Sequence, residues 1–142
     1  MKQLIYLASL CMFLSLFVCC KKEADYSNSI SGTWELRRYT GSFNTTYVKG
    51  NGNVLKFSGS NYERYTNGTL SKSGTFALVP DTAVQQNVGL ILSNKEFKNR
   101  IVFDGQDDAG KKTFVKITKY ELDLYFGSFI NDSGGGYIYE KQ

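Results

Sequence analysis

The 142-residue chain contains no histidine. It therefore lacks the usual general base near neutral pH and the commonest metal ligand. Serine–histidine and cysteine–histidine nucleophile pairs are excluded, as are histidine-based zinc sites. What remains is carboxylate, tyrosine and lysine chemistry. Glu35, Glu63 and Asp123 are the acids that would serve a glycoside-cleaving pair if two of them faced one another. Strand alternation sets Glu63 and Asp123 on outer faces, so no such pair is expected and the chain is not expected to be an enzyme. Asp104, Asp107 and Asp108 cluster with Gly105 and Gly110. Calcium needs six or more oxygens, but this spacing does not match an EF-hand loop. A solvated hairpin is the simpler reading, and neither metal nor cofactor is expected.

Cysteine chemistry is confined to one end. The three cysteines are Cys11, Cys19 and Cys20. After Lys2 the chain runs from Leu4 to Val18 with only Ser9 and Ser15 as clear polar interruptions. A positive start and an apolar stretch of this size form the n-region and h-region of a secretory signal. The stretch is short of the ~20 residues that a membrane span needs. It ends at Cys19-Cys20 and turns at once into the charged collar Lys21-Lys22-Glu23-Ala24-Asp25.

This junction resembles the lipobox of bacterial lipoproteins. Cys20 has the small Cys19 before it and Phe17 at the position that prefers an aliphatic residue. Cys19, the alternative, has Leu16 there but the bulkier Val18 before it. Residues 1–19 are read as a cleaved signal peptide, Cys20 as the lipidated residue, and 20–29 as a lipidated N-terminus and tether. The resemblance implies three acyl chains, palmitate among them, and a stable anchor, since two or more chains hold where one does not. It also implies a cell-envelope location, the outer membrane of a Gram-negative bacterium. No cysteine of the folded body is then left to form a disulfide.

Residues 30–142 are one domain by length. The net charge of +4 is spread along the chain, with short basic pairs at Arg37-Arg38 and Lys111-Lys112. No basic stripe emerges, and no nucleic-acid partner is expected. Turn signals recur at Gly50-Asn51-Gly52, Ser58-Gly59-Ser60-Asn61, Asn67-Gly68, Asp104-Gly105 and Gly134-Gly135-Gly136. The runs between them favour β-structure. Strands are predicted near 32–40, 53–58, 61–66, 73–79, 88–93, 99–104, 112–118, 121–126 and 136–140. Tyr120, Leu122, Leu124 and Phe126 share one face, while Val115 and Ile117 have the opposite parity. A tight hairpin or bulge near Thr118-Lys119 follows. Asp81 to Asn87 is the one stretch read as a helical turn. Many short antiparallel strands imply a sandwich or a barrel.

Gly32-Thr33-Trp34 at the start of the first strand, with Leu55-Lys56-Phe57, Ser73 to Leu78, Ile117 to Leu124 and the closing Tyr137 to Lys141, resembles the lipocalin-like lipoproteins of bacteria. The resemblance covers about residues 30–141. It implies a small all-β, antiparallel, up-and-down barrel of about eight strands. In that family the glycine lets the backbone enter the strand and the tryptophan plugs the closed end. Trp34 is thus either a plug or part of a ligand pocket. The family's arginine that packs on the tryptophan is not evident here, and Lys141 is the nearest basic residue. The chain is also short, so a small or incompletely closed barrel is expected.

Phe57, Phe76, Phe103, Leu122 and Leu124 point inward and would either line a cavity or fill the core. Seven tyrosines, Tyr39, Tyr47, Tyr62, Tyr65, Tyr125, Tyr137 and Tyr139, are strand formers that also suit contact surfaces. Tyr125, outward by alternation, is the leading candidate for surface contact. Asp81-Thr82-Ala83 matches an O-glycosylation sequon of exported bacterial proteins, with Thr82 as acceptor. The functional expectation is a membrane-anchored module for a small apolar ligand or a partner protein of the envelope. The alternative is an accessory envelope lipoprotein with a filled core and no ligand.

Overall fold

The computed structural model describes residues 30–89, 92–128 and 133–142. Nine strands follow one another: β1 Gly32–Thr40, β2 Thr45–Thr46, β3 Val54–Ser58, β4 Asn61–Thr66, β5 Thr69–Pro80, β6 Asn99–Phe103, β7 Thr113–Ile117, β8 Glu121–Phe126 and β9 Gly135–Lys141. Each strand from β3 onward pairs antiparallel with the next, β1 pairs with β3, and β9 returns to β1. The result is a closed, up-and-down barrel of eight strands. The two-residue β2 lies beside the upper part of β1 as an extra pairing. The barrel is fully closed, whereas the short chain left incomplete closure open. Among the described residues, no helix is long and apolar enough to cross a membrane.

The turns follow from local chemistry. Asn67 and Gly68 both take positive φ, 50° and 80°, which a two-residue primed turn between β4 and β5 requires. Thr118 closes the β7–β8 hairpin, its backbone N–H donating to the Glu121 carbonyl over 2.8 Å. That hairpin is the phase change expected at 118–119: Val115 faces Leu124 and Ile117 faces Leu122 on the inside. Tyr120 shares their parity but lies beyond the strand in the turn, where it is exposed. A bulge between Leu36 and Arg38 resets the register of β1 against β9. Such bulges sharpen the twist by which a short sheet closes on itself.

The core is the barrel interior. Trp34, Leu36, Leu55, Phe57, Tyr62, Ile101, Val115, Leu122, Leu124 and Tyr139 are buried in one cluster. Trp34 is fully buried near the entry end, and its indole N–H donates to the Ile30 carbonyl over 2.7 Å. Lys141 Nζ sits 5.1 Å from the centre of the indole rings. The basic residue over the tryptophan that the sequence did not reveal is therefore supplied by β9. Gly32 makes room for it: at φ 131° a Cβ there would lie 3.1 Å from Lys141 Cε.

One predicted strand is absent. Of 88–93, the described residues 88, 89, 92 and 93 are not in a strand. A helical turn, α1 (Val84–Asn87), comes first, close to where a turn was expected. Val84, Val88, Leu92 and Phe97 then pack outside the barrel on Phe114. Val88 and Leu92 of the run that suggested a strand belong to an outer cover instead. It seals the one fully buried ring that β7 points outward.

Trp34→Phe should lower stability by about 2–4 kcal/mol, because it removes ring volume from a sealed site and leaves the Ile30 carbonyl without its donor. Denaturant unfolding reads this as a lower midpoint at unchanged slope. An unchanged midpoint would show that the indole is dispensable.

Candidate functional site

The long hairpin β4–β5 sets two basic residues on the inward-facing register of the barrel, where both stay exposed. Register places Leu55 opposite Arg64, Arg64 opposite Lys72, and Tyr62 opposite Gly74. Leu55 and Tyr62 are buried in the core, so the same face carries Arg64 and Lys72 inward above them. The Arg64 guanidinium carbon lies 6.0 Å from the centre of the Phe103 ring, within cation–π range.

Lys72 is neutralised. Its Nζ pairs with Asp104 Oδ2 at 2.8 Å. That oxygen also accepts the Tyr62 hydroxyl at 3.0 Å, and Asp104 Oδ1 accepts the Thr75 backbone N–H at 3.1 Å. The Lys72 ammonium holds the Asp104 carboxyl below the usual carboxylate range. Gly74 is required here, since a Cβ would run into Asp104 Oδ1. Arg64 has no ion-pair partner among the described residues, and it is exposed.

The opposite wall brings tyrosines. Tyr139, on β9, is buried in the core cluster, with Tyr137 and Tyr47 packed beside it. The Tyr139 hydroxyl lies within electrostatic reach of Arg64, Tyr137 and Tyr47, and burial raises its pKa well above the usual phenol value. Alternation could have found Arg64: the parity that sets Glu63 outward sets Arg64 inward. The convergence on Tyr139 could not be read that way, because it depends on closure.

Phe57, Phe76, Phe103, Leu122 and Leu124 are brought together in and around the one core cluster. Phe57 and Phe76 meet edge to face at 4.8 Å, and Tyr62 meets Phe103 likewise at 4.7 Å. These rings touch one another, and Phe76 and Phe103 stay half-buried. Tyr125 does point outward, but Phe97 covers it edge-on at 5.7 Å, so it is not a free contact surface. Thr82 is exposed. Its neighbour Asp81 is engaged by Lys112 at 2.9 Å and Arg100 at 3.4 Å. Cys19 and Cys20 lie outside the described residues.

Of the clustered acids, Asp104 and Asp107 are engaged by Lys72 and Arg100. Asp107 is forked by Arg100 through both terminal nitrogens. Among the described residues, no group of three or more acids or cysteines is placed to hold a metal. Glu35 is buried on the outer wall and accepts the Gly50 backbone N–H at 2.8 Å. A cleft of about 270 Å³ lies beside it, lined by Glu35, Lys49, Glu140, Lys141 and Gln142. Its acids and bases offset each other, so it presents no charge of one sign to a ligand.

Asp123 is the outer-wall residue with unusual chemistry. It is 7% exposed and faces Ile138 and Lys116 across the sheet. Burial, then a hydrogen bond with Glu121 and the charge of that group, push its carboxyl up to about 7; Lys116 and Arg38 oppose the shift. The proton belongs to the acid pair. Between the ordinary carboxylate range and pH 7 the folded chain holds a proton that the unfolded chain has released. Stability from this group is thus greatest at acid pH and is lost as pH rises through about 7. Asp123→Asn, which does not titrate, should gain on the native protein by up to about 4 kcal/mol between pH 4 and pH 8. Chemical denaturation at both pH values measures it, and a difference that is flat with pH would contradict it.

No protein-family model matches the chain, and neither the curated proteins nor the solved structures contain a match to it.

Proposed function

We propose that the chain is a membrane-anchored, lipocalin-like lipoprotein whose barrel takes a small apolar molecule at the outer membrane. Cys20, or Cys19 in its place, would carry the lipid, and the domain would act by binding and not by catalysis. The observation that carries this reading is the state of the inward aromatic rings. Trp34 and Leu122 are sealed, while Phe76, Phe103, Tyr47 and Tyr137 remain half-buried around the same interior. Half-buried rings facing inward on a closed barrel are the lining that a small ligand uses. The pattern Gly32-Thr33-Trp34, with Lys141 over the indole, supports the lipocalin-like assignment.

A filled-core accessory lipoprotein is the second reading. It is favoured by the direct Phe57–Phe76 contact, which occupies space that a ligand would need. The two readings differ in what leaves the cell with the protein. Native mass spectrometry of the protein purified from its own cells should show a bound small molecule and an acylated N-terminal cysteine. A ligand-free barrel with a stoichiometric protein partner would establish the second reading, and an unacylated N-terminus would remove the anchor. The same spectra test Thr82: a glycan mass lost on Thr82→Ala supports modification there.

A further inference from the structure

We propose that the outside of the entry end, led by Lys98, Lys119 and Tyr120, is a docking face for an anionic phospholipid surface, so that the barrel sits with this end against the bilayer and its mouth turned away. This rests on the lipid-anchor part of the reading above and adds an orientation to it.

Connectivity places the face. In an up-and-down barrel the start of β1 shares one end with the start of β6 and with the β7–β8 turn. Lys98 directly precedes β6, and Lys119 and Tyr120 form that turn. The Tyr120 carbonyl accepts the Lys141 N–H at 2.9 Å, and the next N–H, of Gln142, donates to the Thr33 carbonyl at 2.9 Å. The turn is thus tied to the place where the chain enters the barrel. Ten residues, 20–29, would separate Ile30 from an acylated Cys20. Fully extended, they reach at most about 36 Å. An anchor at Cys20 therefore holds this end close to the surface and raises its effective concentration there.

Charge is the second argument. The acids near this end are spent: Glu96 on Lys116 at 3.1 Å, Glu140 on Arg37 at 3.2 Å, and Asp81 on Lys112 at 2.9 Å. Glu121 is hydrogen-bonded with Asp123. Lys98 and Lys119 are exposed, and among the described residues neither has an acid within ion-pair distance. Unpaired lysines held within a Debye length of a membrane are drawn to its anionic head groups.

Tyr120 is the third argument. Its ring is 66% exposed, with Lys119 Nζ 4.9 Å from the ring centre. The turn is closed by Thr118, whose hydroxyl oxygen accepts the Tyr120 and Glu121 N–H groups at 3.3 and 2.9 Å, so the ring has no part in holding it. A tyrosine with an apolar ring and a polar tip settles at head-group level. Phe43 and Leu70 are also exposed, but they lie at the mouth, beyond β1 and the β4–β5 turn, and give the opposite orientation its own signature.

The test uses the acylated protein from its own cells, labelled with nitrogen-15 and placed in nanodiscs of phosphatidylcholine alone or mixed equally with phosphatidylglycerol. A nitroxide on the lipid head groups broadens nearby amide signals. Lys98 and residues 118–121 should broaden at least about two-fold more in the anionic discs than in the neutral ones, while amides around Phe43 and Leu70 stay sharp. Lys119→Glu should remove most of this difference, and Lys119→Gln part of it, with the barrel amides and the melting temperature unchanged because Lys119 is exposed. Broadening at the mouth, equal broadening of the entry end in both lipids, or a difference that survives Lys119→Glu would overturn the docking face and leave the anchor standing. A chain that leaves the discs would overturn both.

Discussion

The pairing of β1 with β9 is the constraint on which the rest depends. The register Trp34–Lys141, Leu36–Tyr139 and Tyr39–Tyr137 joins the first and last strands and converts a meander into a barrel. Before closure, Tyr139 belongs to an edge strand and Arg64 to a distant hairpin. After closure they face a common interior. Closure also removes the open strand edges that would otherwise template aggregation. The bulge at Arg37 lets one strand satisfy both partners. Below it β1 runs with β3 and β9, and above it with β2 and β9.

The interior is asymmetric. At the entry end, a fully buried indole spends its only donor on Ile30, and a lysine lies over its face. The polar atom of the plug is accounted for, and the inside of that end reads as structure. Around β4 and β5 the same inward register ends in Arg64 and Lys72, which stay exposed. The outer wall repeats the contrast. Phe114 is sealed by Val84, Val88, Leu92 and Phe97, whereas burial and then the neighbouring acid Glu121 raise the carboxyl of Asp123.

Much of the fold was legible in the sequence because β-structure writes a period of two. The alternation in β8 and the parity break at Thr118 located a hairpin and its inner face without any three-dimensional information. Gly32 and Trp34 marked the barrel entry. The failures share one cause, which is that alternation gives a side chain's face but not what covers that face. Tyr125 is outward as alternation predicts, yet Phe97 covers it from the stretch before β6 that no predicted strand includes. Residues 88–93 have strand composition, but β5 and β6 already pair with each other across Phe76–Phe103, and the described residues 88, 89, 92 and 93 are in no strand. Lys141 is the basic residue nearest the closing strand's end, but only the register of β9 sets it over the Trp34 ring. Parity alone sets Arg64 on the face opposite to Glu63.

The closure of β1 on β9 can be tested directly by amide hydrogen exchange read residue by residue with NMR. Backbone amides across the Trp34–Lys141, Leu36–Tyr139 and Tyr39–Tyr137 pairings should be protected as strongly as those of the β7–β8 hairpin. Exchange in β1 and β9 at the rate of open edge strands would contradict a closed barrel.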